Sequence, residues 1–247
     1  MLPKDYKMTA LISTLRHGEK NDNGELTEQG VKQATLRGIN TTHLEGDIII
    51  FHSGVDRVKQ SVRAAGQYLR INDAEKIDLE KIIQEHHLQD YICPELHYLF
   101  KPKSKGIYFE GWDDIELTPN ERMQEFLNQK DFSSEPEIYP SPKQMAQRLG
   151  RVLLTEVNFS GLTDYNFRTN FINGTHEPVV MSFLYYALNN FSAGSENFVT
   201  EVGGTVDFAE GFNFEVYQNP TQDLKVFLGF RDFYKEVDLK FLQKFLD

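Results

Sequence analysis

Thr9-Ala10-Leu11-Ile12-Ser13-Thr14-Leu15-Arg16-His17-Gly18-Glu19 is the stretch on which the reading of the fold turns. Its first seven residues are small, apolar or β-branched, the make-up of a buried strand. The strand stops at an arginine, a histidine and a glycine, so it delivers two cationic or ionisable groups to a turn. A polar segment follows, Lys20 to Glu25. Leu26-Thr27-Glu28-Gln29-Gly30 then opens a helix, with Thr27 as N-cap and Val31, Ala34 and Ile39 near helical spacing.

Working outward, the same layout of apolar strand, polar turn and helix recurs twice. Asp47-Ile48-Ile49-Ile50-Phe51-His52 runs into Ser53-Gly54-Val55-Asp56 and a helix from Arg57 to Leu69. A strand from Phe167 to Thr175 runs into His176-Glu177-Pro178 and an apolar helix from Val179 to Leu188. Ile77 to Leu88 is expected to hold a third strand. Lys143 to Thr155 reads as a helix, and so does the segment opened by Thr118-Pro119, with proline at its first position. Two late strands, Phe212 to Tyr217 and Lys225 to Phe230, flank the turn Asn219-Pro220-Thr221-Gln222-Asp223. Val237 to Leu246 reads as a closing amphipathic helix. Strands alternating with helices predict an α/β fold, a three-layer α/β/α sandwich on a mostly parallel sheet. The proline-rich stretch from about 91 to 142, which holds Trp112, is expected to be a helical cap inserted into one domain spanning 1–247.

Composition narrows the function. The 247 residues carry 26 Lys and Arg against 37 Asp and Glu, a net charge of −11. Such a surface repels nucleic acid and anionic lipid, so neither is expected as a partner. The single cysteine, Cys93, excludes a disulfide framework. No stretch approaches the roughly 20 apolar residues of a membrane span. The first seven residues lack the apolar core of a signal peptide, and a cytoplasmic location is expected.

In an open α/β sheet, ligands bind beyond the carboxyl ends of the strands. Arg16, His17, Arg57 and His176 are therefore expected to meet in one pocket. Arginine forks match phosphate oxygens, a neutral imidazole is a nucleophile, and a second histidine donates to a phosphoryl oxygen. That is a phosphoryl-transfer site with no metal or cofactor required by any motif in the chain. Glu85, His86, His87, Asp90 and His97 fit no metal-ligand spacing, and Lys101, Lys103 and Lys105 read as a solvated loop.

Arg16-His17-Gly18-Glu19 after a strand resembles the signature of the histidine phosphatase superfamily, the phosphoglycerate-mutase-like proteins. Leu26-Thr27-Glu28-Gln29-Gly30 with Gln33-Ala34 is similar to the family's L-T-x-x-G-x-x-Q-A. Ser53 to Ser61, with Arg57 and Gln60, resembles S-P-x-x-R-x-x-Q-T, with Gly54 in place of the proline, and Thr175-His176 resembles the second-histidine strand end. The resemblance covers about 9–70 and 170–190. It implies that His17 forms a phosphohistidine, that Arg16, Arg57 and His176 clamp the phosphoryl oxygens, and that no cofactor or metal takes part. It implies a phosphorylated small molecule or phosphoprotein as substrate. The proton donor to the leaving group is Glu177 by preference over Asp90, with Glu85 a weaker choice. Two alternatives stand beside hydrolysis: a phosphoglycerate-type mutase, and an inactive phosphate-binding module.

Overall fold

Strand β1, Lys7–Arg16, lies at the centre of a seven-stranded sheet, with three strands on either side of it. The structure is a computed structural model that describes residues 5–39, 47–68, 90–96, 117–129, 140–163 and 166–247. From β1 the chain passes through α1, Glu28–Ile39, to β2, Asp47–His52, then through α2, Asp56–Tyr68, to the short β3, Asp90–Ile92. Helices α3, Pro119–Asn128, and α4, Pro142–Leu162, lead to β4, Thr169–Thr175, and helix α5, Glu177–Ala187. A four-residue helix α6, Phe198–Glu201, precedes β5, Gly211–Gln218, β6, Leu224–Phe230, β7, Phe233–Val237, and helix α7, Leu239–Leu246.

The strand order is β3-β2-β4-β1-β5-β6-β7. The pairs β3/β2, β2/β4 and β4/β1 are parallel, while β1/β5, β5/β6 and β6/β7 are antiparallel. The sheet is thus parallel through the half that ends in the arginine and histidine turns, and the late strands extend it as an antiparallel meander. The chain moves outward from β1 to β3, returns to insert β4 beside β1, then crosses to the far side. The carboxyl ends of β1 and β4 therefore sit at a switch point in strand order, where an open sheet leaves a crevice.

Alternation along the strands separates two apolar layers. Leu15, Ile48, Ile50 and Ile172 pack with Val62 on the α2 face. Ala10, Ile12 and Phe171 face a larger cluster built from α3, α4, α5 and α7. Helix α5 is buried on every side, from Pro178 to Ala187, and so belongs to the interior. Helices α3 and α4 begin at the expected Thr118-Pro119 and one residue before Lys143. Each carries a capping box, Thr118 with Glu121 and Ser141 with Gln144, and proline at the start.

The described parts of the expected cap pack into the main body. Leu96, Met123, Phe126 and Leu127 share the large cluster with the sheet. The rest of that stretch, with Trp112 and the lysines, lies outside the described residues, as does the strand expected over Ile77 to Leu88. The closing helix starts two residues later than its pattern suggested. Val237 ends a seventh strand, and Asp238 caps the helix by accepting from the Lys240 N–H at 2.8 Å. That strand was missed because it is an edge strand with only Val237 buried, so its sequence shows no apolar alternation.

Candidate active site

His17 follows the last residue of β1, and its backbone is gripped from both sides. Its N–H donates to Thr175 O at the end of β4 (3.2 Å), and its carbonyl accepts from Ala209 N–H (3.1 Å). The ring is buried, 5% exposed as a residue, and Nδ1 lies 2.7 Å from Gly18 O. A carbonyl oxygen only accepts, so Nδ1 carries the proton and Nε2 keeps its lone pair. Burial, opposed by the Gly18 hydrogen bond and reinforced by the nearby charges of Arg57 and Arg16, pushes His17 down to about 4. At neutral pH the imidazole is an uncharged base with a fixed tautomer.

The turn that holds His17 rests on two glycines. A Cβ on Gly18 would lie 2.2 Å from Gly30 O, and one on Gly30 would lie 2.2 Å from Glu19 O. Helix α1 and the turn therefore touch backbone to backbone. Gln33 Oε1 accepts from Glu19 N–H (2.9 Å), Thr27 N–H donates to Glu19 O (2.9 Å), and Gly18 N–H donates to Ser61 Oγ (2.9 Å) on α2. Leu26-Thr27-x-x-Gly30-x-x-Gln33 and the serine of α2 thus position the turn that carries His17.

Three more cationic or ionisable groups surround His17. The His176 ring lies 5.5 Å from it, centroid to centroid, at 73°. His176 is the N-cap residue of α5 but makes no side-chain cap, and its Nε2 meets Ser53 Oγ at 3.3 Å. Arg57, in the first turn of α2, reaches Gly24 O through Nη1 at 3.5 Å and has a buried Nε without a partner. Burial disfavours its charge and lowers its pKa. Arg16 donates from Nη1 to Val206 O (2.7 Å), pairs with Glu177 Oε2 (2.9 Å) and stacks on the Phe208 ring at 4.3 Å. Its Nε too is buried and unpartnered. Two guanidinium groups with unsatisfied buried donors stand beside a neutral imidazole, an arrangement able to donate to the oxygens of an anion.

Glu177 opens α5 next to His176. Burial raises its carboxyl above the ordinary range; Arg16 and a Thr205 hydrogen bond oppose this, and Asp207 adds to it. Asp90 opens β3, and its backbone is level with Ile50 rather than with the strand ends: Ile92 is the residue that aligns with His52. Asp90 therefore begins two residues, roughly 6.6 Å of strand, short of the edge where His17 and His176 stand. Glu85 lies outside the described residues. Among the described residues no group of three or more His, Cys, Asp or Glu is gathered around one point, and no helix is long and apolar enough to cross a membrane.

Solved structures share this architecture. A mycobacterial glucosyl-3-phosphoglycerate phosphatase aligns with a TM-score of 0.56 at 14% identity, over 89% of this chain and 97% of that one. Two further structures, described as mycobacterial hydrolases 1 and 2, align with TM-scores of 0.58 at 16% and 15% identity. They cover 89% and 95% of this chain and 96% and 95% of their own. The chain has the phosphoglycerate-mutase-like fold of these proteins. No family model and no curated protein matches the sequence itself. The fold brings together Arg16, His17, Arg57, His176 and Glu177, and the loop 202–210 closes the group from the side of β5. That loop, with Phe208 against both Arg16 and His17 (6.1 Å between ring centroids), escaped the sequence reading. Only the Gly203-Gly204 pair could have marked it as a special turn.

Proposed function

We propose that the protein hydrolyses phosphomonoesters through a phosphohistidine at His17. The observation that carries this reading is the fixed Nδ1–H donation to Gly18 O, which leaves a neutral Nε2 lone pair among Arg16, Arg57 and His176. Nε2 attacks phosphorus, and the bond from phosphorus to the ester oxygen breaks. The negative charge on the equatorial oxygens is held by the two guanidinium groups and His176, at the positive end of α5. The leaving oxygen takes its proton from the Glu177 carboxyl. Glu177 is paired with Arg16; a bound phosphoryl dianion draws the Arg16 charge to itself and adds its own, and both raise the tendency of Glu177 to hold a proton. Water then attacks the phosphohistidine, returns a proton to Glu177 and releases inorganic phosphate.

The substrate class is a phosphorylated small molecule or a phosphorylated protein side chain. The mycobacterial phosphatase of the same fold acts on glucosyl-3-phosphoglycerate and has been solved with VO3 and with inorganic phosphate, ligands of the chemistry proposed here. No residue of the site calls for a metal, and metal-independent turnover is part of the proposal. Para-nitrophenyl phosphate hydrolysis with and without EDTA, beside His17→Ala, tests it. Turnover that survives chelation and vanishes in the variant is expected. Activity retained in His17→Ala, or lost to EDTA, overturns the mechanism.

A further inference from the structure

Arg231 stands in the two-residue turn between β6 and β7, far in sequence from every group named above. It adopts φ +49, a left-handed conformation that asparagine or glycine takes at lower cost in such a turn. All five of its N–H donors are used. Nε and Nη2 fork onto the two carboxylate oxygens of Glu210, each at 2.7 Å. Nη1 donates to Val202 O (2.5 Å) and Gly204 O (3.0 Å), and Nη2 to Thr205 O (2.8 Å). A single guanidinium thus draws residues 202, 204, 205 and 210 onto one point. Glu210 completes the knot, because Oε2 also accepts from Asp207 N–H at 2.7 Å. Burial works to raise the Glu210 carboxyl, and the Arg231 fork overcomes it and holds it below the ordinary range.

The segment gathered in this way is the one that frames the proposed phosphoryl site. Val206 O and the Phe208 ring hold the Arg16 guanidinium, Glu210 O accepts from Arg16 N–H (2.9 Å), and Ala209 N–H holds the His17 carbonyl. A second support comes from α3, where Asn120 Oδ1 accepts from Thr205 N–H at 3.1 Å. We infer that Arg231 is a positioning residue for phosphoryl binding, acting through the loop 202–210 to fix the Arg16 guanidinium beside His17. The inference rests on the phosphatase reading. It explains why an arginine occupies a turn position that disfavours any side chain: the whole hydrogen-bonding capacity of the fork is used, which a lysine cannot reproduce.

Orthovanadate binding by calorimetry, which returns both dissociation constant and site number, tests it alongside kcat and KM for para-nitrophenyl phosphate. Arg231→Met is expected to weaken vanadate by about 10-fold or more and to lower kcat/KM in step, with one site per folded chain retained. Arg231→Lys is expected to fall between, keeping the cation without the fork. Glu210→Gln is expected to cost several-fold alone and less than about 2-fold in the Arg231→Met background, since the two act as one unit. A merely structural role would lower the site number and leave the dissociation constant of the remaining sites unchanged, and that result overturns the inference. If Arg231→Met does not fold, Arg231→Lys and Glu210→Gln decide: vanadate affinity within 2-fold of wild type in both overturns it. No vanadate binding to the wild-type protein contradicts the phosphatase reading itself, whereas tight wild-type binding unchanged in the variants contradicts only the role of Arg231.

Discussion

The two halves of the sheet contribute to the site in different ways. The parallel half, β3-β2-β4-β1, ends in the side chains of the proposed phosphoryl site: Arg16 and His17 after β1, Ser53 and Arg57 after β2, His176 and Glu177 after β4. The antiparallel half, β5-β6-β7, supplies none of these groups. It braces Arg16 instead, through the loop 202–210 and Arg231. Chemistry and support are thus separated across β1, the strand that belongs to both. Substitutions on the parallel side should damage turnover at constant stability, and those on the antiparallel side should damage it through the loop 202–210, which holds both Arg16 and the His17 carbonyl.

Arg57→Ala is expected to show the largest of the loss-of-charge effects. Removing a preorganised donor from a phosphoryl site costs about 10²–10³ in kcat. The helix start at Asp56 should survive, because Arg57 makes only the 3.5 Å contact to Gly24 O. Steady-state kinetics beside a thermal unfolding scan measures both. A rate within 3-fold of wild type would place the phosphoryl group away from α2.

Glu177→Gln comes next, with a loss of about 10², the lower end of what general acid catalysis contributes, for an ester with a poor leaving group. Para-nitrophenyl phosphate, whose leaving group needs little protonation, should be affected far less. The pH profile sharpens the assignment. Glu177 must be protonated to donate, and burial raises its pKa. Wild-type kcat should therefore fall as pH rises through that value, and the alkaline fall should be absent in the variant. On the acid side, His17 holds no proton until the pH approaches about 4, so activity should persist well below pH 6. An acid limb centred near pH 6.5 would contradict the burial of His17.

Much of this architecture was legible because the ligand-facing groups follow immediately on apolar strands. Arg16-His17-Gly18 is announced by the run before it, and His176-Glu177-Pro178 by an all-buried strand and a helix-starting proline. The supporting groups carry no such mark. The four residues Arg231 gathers are reached through three main-chain carbonyls and one carboxylate 21 residues away in sequence, and any residue type has a carbonyl. β7 was hidden for the opposite reason, since an edge strand with exposed Phe233 and Tyr234 lacks the alternation of a half-buried one. Glu156 was hidden as well. It lies one residue beyond the helix expected over Lys143 to Thr155, yet α4 continues through it, and it is 2% exposed and accepts from Asn173 Nδ2 at 2.9 Å.

Glu156 yields a prediction about stability rather than catalysis. Burial, opposed by the Asn173 hydrogen bond, pushes its carboxyl up to about 8. The folded state thus holds a proton that the unfolded chain releases near pH 4.5. Stability from this group is complete at low pH and is lost as pH rises from about 4.5 through 8, with a slope of at most about 1.4 kcal/mol per pH unit. Glu156→Gln, neutral at every pH, should remove that slope. Urea unfolding at pH 5, 6.5 and 8 measures it: the variant should gain on the wild type as pH rises. Parallel curves would mean that the carboxyl is solvated or paired. The smallest effect is expected at the antiparallel edge. Tyr234→Ser, which loses the Glu215 hydrogen bond (2.7 Å) and the stack on Phe227 (5.3 Å), should cost about 1 kcal/mol and leave kcat/KM unaltered, which a denaturation curve and one kinetic assay will check.

The central claim is the covalent intermediate at His17. Rapid acid-free quench of the wild-type protein during turnover of a radiolabelled phosphomonoester, followed by digestion and mass spectrometry, addresses it directly. A phosphoryl group on the peptide containing His17, lost on acid treatment and stable to alkali, is predicted, with no label in His17→Ala. Steady turnover with no label on that peptide, or a label that survives acid, would contradict it.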